Sequence, residues 1–151
     1  MRRKVKVEGV RKFKSHANIT SKRSGFHVPH VDSNVAAVLN GYPYKVFIDL
    51  SEDMGLPFKQ LSKVTRIAST TLNRRESEGK FSVPESDRLY MTQKIFKLAV
   101  DVTGSKENAR VWLSTPQISL NNEKPLDYIN TIPGADIVMN LLYAMEYGVY
   151  L

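Results

Sequence analysis

Catalysis needs a nucleophile beside a base, paired carboxylates in a cleft, or metal ligands at matching spacing. This chain offers none of these in a usable form. Its three histidines, His16, His27 and His30, all fall in the first thirty residues. His27 and His30 could share a metal across one helical turn, but Pro29 between them argues against a helix there. Glu52-Asp53, and Glu76 with Glu78, read as solvated helix faces rather than acid–base pairs. With no cysteine, disulfides, thiolate metal sites and thiol nucleophiles are excluded together. The glycines are scattered at helix ends, so no phosphate loop is present. A protein without enzymatic activity, metal or cofactor is expected.

Binding chemistry remains. Residues 69–75, S-T-T-L-N-R-R, concentrate side chains that hydrogen-bond to bases and phosphates. Near the other end, Met139, Tyr143, Tyr147 and Tyr150 are spaced 4, 4 and 3 apart, one stripe of a helix. Tyr and Met suit a surface that is dry in a complex and wet outside it, although core packing or a homodimer seam would use the same stripe. Charge is divided in the same sense. Met1 to Ser24 carries nine basic residues against one acidic, Leu56 to Lys80 six against two, and Ala99 to Leu151 three against six. A basic front and an acidic back point to two kinds of partner. The first run is either a solvated tail or a phosphate-contacting arm.

The elements that must position these groups are helices. Residues 1–32 have no periodicity and read as a basic mobile arm. Asp32 or Ser33 could cap a short helix over Val35–Leu39 that Gly41 stops, and a second runs from Pro43 to Met54. Pro57 opens a helix with a Phe58, Leu61, Val64 stripe. After a turn at Thr65–Ala68, Ser69 caps another that ends at Gly79. Two short helices on a tight turn form a helix-turn-helix pattern, although a plain helical hairpin has the same spacing. Ser82 and Glu85 make a capping box for a long helix, Pro84–Val102, that Gly104 ends. Ser105 caps the next, with Ala109, Trp112 and Leu113 buried. A short helix runs from Pro125 to Ile129, broken by Pro133-Gly134. The last spans Ala135–Tyr147, with Ile137, Val138, Leu141, Leu142 and Met145 as its core face. The fold class is all-α: a mobile arm at 1–32, a helix-turn-helix domain for DNA binding and dimerisation at 33–98, and a small helical domain at 99–151. No apolar run approaches the roughly 18 residues that span a bilayer, and no secretory signal is seen. A cytoplasmic protein without a membrane partner is expected.

Two segments resemble a known family. The first contains T-T-L-N-R-R (70–75), Gly79 and E-S-D-R-L (85–89). The second contains A-R-V-W-L-S-T-P (109–116), P-L-D (125–127), T-I-P-G (131–134) and E-Y-G-V (146–149). In this order they resemble the Xre/MbcA/ParS antitoxins, which join a helix-turn-helix to a C-terminal toxin-binding domain, over about two-thirds of the chain. The departures are local. Asn121-Asn122 replaces a glycine pair, where asparagine tolerates the left-handed conformation. Lys124 replaces a capping threonine, and Gln117 stands where asparagine is typical.

The resemblance implies a RES-type, NAD-degrading toxin as partner, homodimerisation, and repression of the pair's own operon through operator DNA. On the exposed early turns of the second short helix, Asn73 and Arg74 are assigned to base edges, and Ser69, Thr70 and Thr71 are DNA-binding residues of the kind that more often fix phosphates. Lys63, Arg66 and Arg75 are assigned to the DNA backbone. Arg75 could instead pair internally with Glu78 or Asp87. Toxin binding is assigned to Met139, Tyr143, Glu146, Tyr147, Gly148, Val149, Tyr150 and Leu151. Tyr147–Leu151, an apolar terminus with its carboxylate, are expected to plug a cationic active-site entrance. The alternative is a stand-alone helix-turn-helix transcriptional regulator whose C-terminal half only dimerises.

Overall fold

The computed structural model describes residues 31–148, with side chains from Ser33 onward. The expected arm, apart from its last two residues, and Val149, Tyr150 and Leu151 lie outside the described residues. Among the described residues eight α-helices and one 3-10 turn follow in order: α1 (Val31–Asn40), α2 (Lys45–Met54), α3 (Phe58–Thr65), α4 (Ser69–Glu78), α5 (Val83–Thr103), α6 (Lys106–Ser114), the 3-10 turn (Ile118–Leu120), α7 (Pro125–Tyr128) and α8 (Ile132–Glu146). Among the described residues there is no extended strand, only isolated antiparallel bridges at Pro43–Lys80 and Gln117–Glu123. The all-α expectation is met.

The 21-residue α5 is the spine. Its start is the expected capping box: the Ser82 backbone N–H donates to Glu85 Oε2 at 2.8 Å, and the Ser82 side chain accepts from the backbone in return. Helices α1, α2, α3, α6 and α8 all pack on it. Leu89, Ile95 and Ala99 are fully buried along its length. Around its first turns an aromatic cluster forms, with Phe47 meeting Phe58 edge-on at 5.3 Å and Tyr44 stacking on Phe81 at 5.7 Å. The same core continues without a break through Leu113, Leu126, Val138 and Leu142 of the C-terminal half. The halves are also bonded directly. Arg110 of α6 donates from Nε to the Asp53 carbonyl at 2.8 Å and from its terminal nitrogen to the Glu52 carbonyl at 3.0 Å. A cation there complements the C-terminal end of α2, and Lys106 pairs with Asp53 beside it.

Several boundaries move, each for a local reason. Helix α1 begins at Val31, so Asp32 and Ser33 lie inside its first turn instead of capping it. Helix α2 begins at Lys45, because the chain before it is drawn into the bridge with Lys80, where the Phe81 N–H donates to the Tyr42 carbonyl at 2.8 Å. Ala68, not Ser69, is the N-cap of α4, and Ser69 is the first helical residue. Pro133-Gly134 does not break a helix. It sits in the first turn of α8, capped by Thr131, whose hydroxyl accepts from the Gly134 N–H at 3.2 Å. The expected core face of α8 is too wide. Helix α8 lies on α5 and α7 along a narrow line, Ala135, Val138 and Leu142, which leaves Ile137 and Met145 exposed.

Gly134 is fixed by packing, not by backbone dihedrals. A Cβ there would meet the Tyr128 carbonyl oxygen at 2.0 Å and Thr131 Oγ1 at 2.8 Å. The α7–α8 corner closes only because that methyl is absent. Gly134→Ala is expected to destabilise the fold by about 1–3 kcal/mol despite alanine's higher helix propensity. Urea denaturation of the two proteins measures it, and an unchanged or raised midpoint would show that the corner relaxes freely.

Candidate functional site

The first candidate surface is the exposed flank of α3 and α4. Helix α3 ends in a left-handed residue, Arg66, with φ 53°. That turn lets the Ile67 N–H reach the Ser62 carbonyl at 3.1 Å, while the buried Ser62 hydroxyl donates to the Ile67 carbonyl at 2.6 Å. The chain therefore reverses in three residues and α4 leaves at a fixed angle. Only Leu72 of α4 is buried. Ser69, Thr70, Asn73 and Arg74 are exposed, Thr71 is half-buried, and Lys63 and Arg66 are exposed on the adjoining helix end. Helix α4 thus presents polar and cationic groups after a rigid turn that holds Arg66, while Lys63 lines a groove with Gln60, Leu126 and Asp127 towards α7. That arrangement suits entry into a DNA groove with phosphate contacts at its edge.

Arg75 does not belong to that outward set. Its side chain is 16% exposed and its Nε donates to Glu85 Oε2 at 2.7 Å, with a second nitrogen 3.1 Å from Oε1. Glu78 takes a third bond from the same guanidinium. Of the internal partners foreseen for Arg75, Glu78 is found, while Glu85 takes the place of Asp87. The reason is the capping box, which already turns the Glu85 carboxylate towards the end of α4. Burial alone would raise the Glu85 carboxyl's pKa. The bonds from Arg75 and Ser82 outweigh burial and hold it below the ordinary carboxylate value.

The second candidate surface is the outer side of α8. Tyr143 and Tyr147 are exposed, as are Ile132, Ile137 and Met145. Glu146 and Gly148 are exposed at its end, and Gly148 adopts φ 65°. Met139 is half-buried against the core, so it backs this surface. The expected tyrosine stripe is outward-facing, and Ile137 and Met145, from the supposed core face, are exposed on other sides of the same helix. Helical periodicity separates the two stripes but does not show how wide the buried one is, because both are apolar. Among the described residues no group of three or more His, Cys, Asp or Glu could hold a metal ion, and no helix is long and apolar enough to cross a membrane.

A helix-turn-helix with an exposed polar second helix, sharing one spine with a smaller helical module, defines the class: a two-part helix-turn-helix protein. Comparison with known proteins carries this further. Residues 33–91 match the Antitoxin Xre-like helix-turn-helix domain, and residues 98–148 match the Antitoxin Xre/MbcA/ParS C-terminal toxin-binding domain. An Antitoxin Xre of Yersinia enterocolitica is 30% identical over 118 residues, which cover 77% of this chain and 80% of the relative. An Antitoxin Xre of Photorhabdus laumondii is 29% identical over 124 residues, covering 80% and 81%. The chain belongs to the Xre/MbcA/ParS antitoxin family and carries its helix-turn-helix and toxin-binding domains.

Two outcomes follow from the Arg75 geometry. A glutamate held below its unfolded pKa stabilises the fold fully above the ordinary glutamate range near about 4.3. That contribution is lost as pH falls through the folded value. Thermal unfolding between pH 7 and 3 should therefore show an acid-side decline that Glu85→Gln flattens. In DNA binding, Lys63→Ala and Arg66→Ala should each lower the slope of log affinity against log salt by about one. Arg75→Ala should weaken binding and leave that slope unchanged. A slope lowered by Arg75→Ala would return it to the DNA backbone.

Proposed function

We propose that this antitoxin neutralises a RES-type, NAD-degrading toxin by covering its active-site entrance with the C-terminal domain, and that as a homodimer it represses the operon of the pair. In this reading the chain divides near residue 98, with DNA binding before that point and toxin binding after it. The observation that carries the toxin half is the outer side of α8. Tyr143 and Tyr147 share one exposed stripe, and Ile137 and Met145 are exposed elsewhere on the same helix, on a domain whose residues from Ala99 onward hold six acidic groups against three basic. A site that handles the NAD pyrophosphate is cationic, so an acidic, apolar-faced lid is complementary to it. Met139, Tyr143, Glu146, Tyr147 and Gly148 are the contacts assigned here, with Val149, Tyr150 and Leu151 continuing into the entrance. On the DNA side, Asn73 and Arg74 read base edges, Ser69, Thr70 and Thr71 support the helix in the groove, and Lys63 and Arg66 hold phosphates. A cytoplasmic site of action belongs to the same reading.

NAD content tests the toxin half. It is measured in cells expressing the neighbouring RES-type reading frame alone, with the full chain, and with a chain ending at Glu146. Collapse rescued by the full chain only is the expected result. Rescue by both chains would move the inhibitory contact inward to Met139 and Tyr143. No collapse with the toxin shown to be present would leave the stand-alone regulator as the reading. For the DNA half, Arg74→Ala should lower operator affinity and relax sequence preference at one position of each half-site, by about 1–3 kcal/mol per lost base contact. Unaltered footprints would remove α4 from the groove.

A further inference from the structure

The 3-10 turn after α6 holds its first residue almost wholly in solvent. Ile118 is 89% exposed, more than any other large apolar side chain among the described residues. A scattered surface isoleucine is ordinary, but this one stands on a closely bonded support. The Gln117 N–H donates to the Glu123 carbonyl at 3.0 Å, and the N–H groups of Leu120 and Asn122 both donate to the Gln117 carbonyl, at 3.0 and 2.9 Å. Asn121 and Asn122 take φ 55° and 62°, which closes the turn at a conformational cost that asparagine tolerates. Leu120 is 2% exposed and anchors the turn in the core, while Gln117 Nε2 donates to the Thr115 carbonyl at 3.1 Å. The backbone of Ile118 is therefore fixed on both sides.

On α6, Val111, which is 65% exposed, lines a shallow groove with Trp112, Thr115 and Gln117, the residue before Ile118. Exposed acidic residues flank the pair: Glu107 one helical turn before Val111, and Glu123 at the end of the turn. A rigidly presented apolar side chain loses little conformational entropy when a partner buries it, which favours it as an anchor. The toxin-binding domain match, residues 98–148, spans this whole region, whereas the α8 surface uses only its last third.

We propose that Ile118 is a second toxin contact, separate from the α8 face, and seats in an apolar pocket rimmed by basic side chains on the toxin. The assignment rests on the toxin reading above. Isothermal titration of the purified product of the neighbouring RES-type reading frame, with full-length chains, tests it. Ile118→Ala should weaken binding about tenfold or more, as expected for an isoleucine whose burial is lost, and Ile118→Asp should weaken it further. Thermal stability and operator binding should both stay at wild-type values, because the side chain is almost wholly in solvent. Tyr143→Ala is the reference for the α8 face. If it weakens binding while both Ile118 variants stay within twofold of wild type, the toxin reading stands and the Ile118 contact is overturned. Wild-type chain that fails to bind would overturn both. An Ile118→Asp chain with altered sedimentation but unaltered toxin affinity would assign the turn to a second copy of this protein instead, which also overturns the proposal.

Discussion

Helix α4 buries a single side chain, Leu72, so apolar packing cannot fix its orientation. The Arg75–Glu85 pair supplies that constraint, joining the last turns of α4 to the first turn of α5. Glu85 is at once the capping carboxylate of the spine and the acceptor for Arg75, so one group both starts α5 and ties α4 to it. A helix this polar has no wide apolar stripe to bury, and a partly buried ion pair holds it without one. Such a pair contributes by geometry more than by net energy, since the desolvation of both ions offsets much of their attraction.

From that anchored end, α5 runs into the second half of the molecule and meets α6 and α8. There is no linker in the physical sense. The apolar core is continuous, and Arg110 closes the carbonyl end of α2 from the other domain. The outward faces of α4 and α8 are thus presented by one packed body, carried on helices whose inner faces share a core. Rigid elements place such groups more reproducibly than loops do.

Much of this was legible in advance because it depends on neighbours in the chain. The Ser82–Glu85 capping box, the Ser105 cap and the stops at Gly41, Gly79 and Gly104 are local hydrogen-bonding and dihedral effects, and each is where the sequence places it. A further local signal went unread. Ser51 and Ser62 each donate to a carbonyl five residues on, that of Leu56 and Ile67, across a left-handed residue, Gly55 and Arg66. The repeated pattern, serine followed at the fifth position by an apolar residue, marks both helix ends. It is hidden at the second because arginine rather than glycine takes the positive φ. The Thr131 cap was missed for a similar reason, since Pro-Gly is a strong turn signal and only the cap shows that it starts α8.

By itself the sequence determined the helical class, the order of the elements, the polar character of α4 and the two apolar stripes of α8, because periodicity and capping are properties of short stretches. Only the tertiary structure decided which residues those patterns served. Arg75 turns inward because Glu85, ten residues away, is aimed at it. Ile137 and Met145 face outward because α8 touches its neighbours along a line narrower than its apolar surface. Gly134 is required because a carbonyl from α7 occupies the space of its Cβ. Each of these depends on what lies across a contact, and a contact between separate elements leaves no fixed spacing in the chain to read.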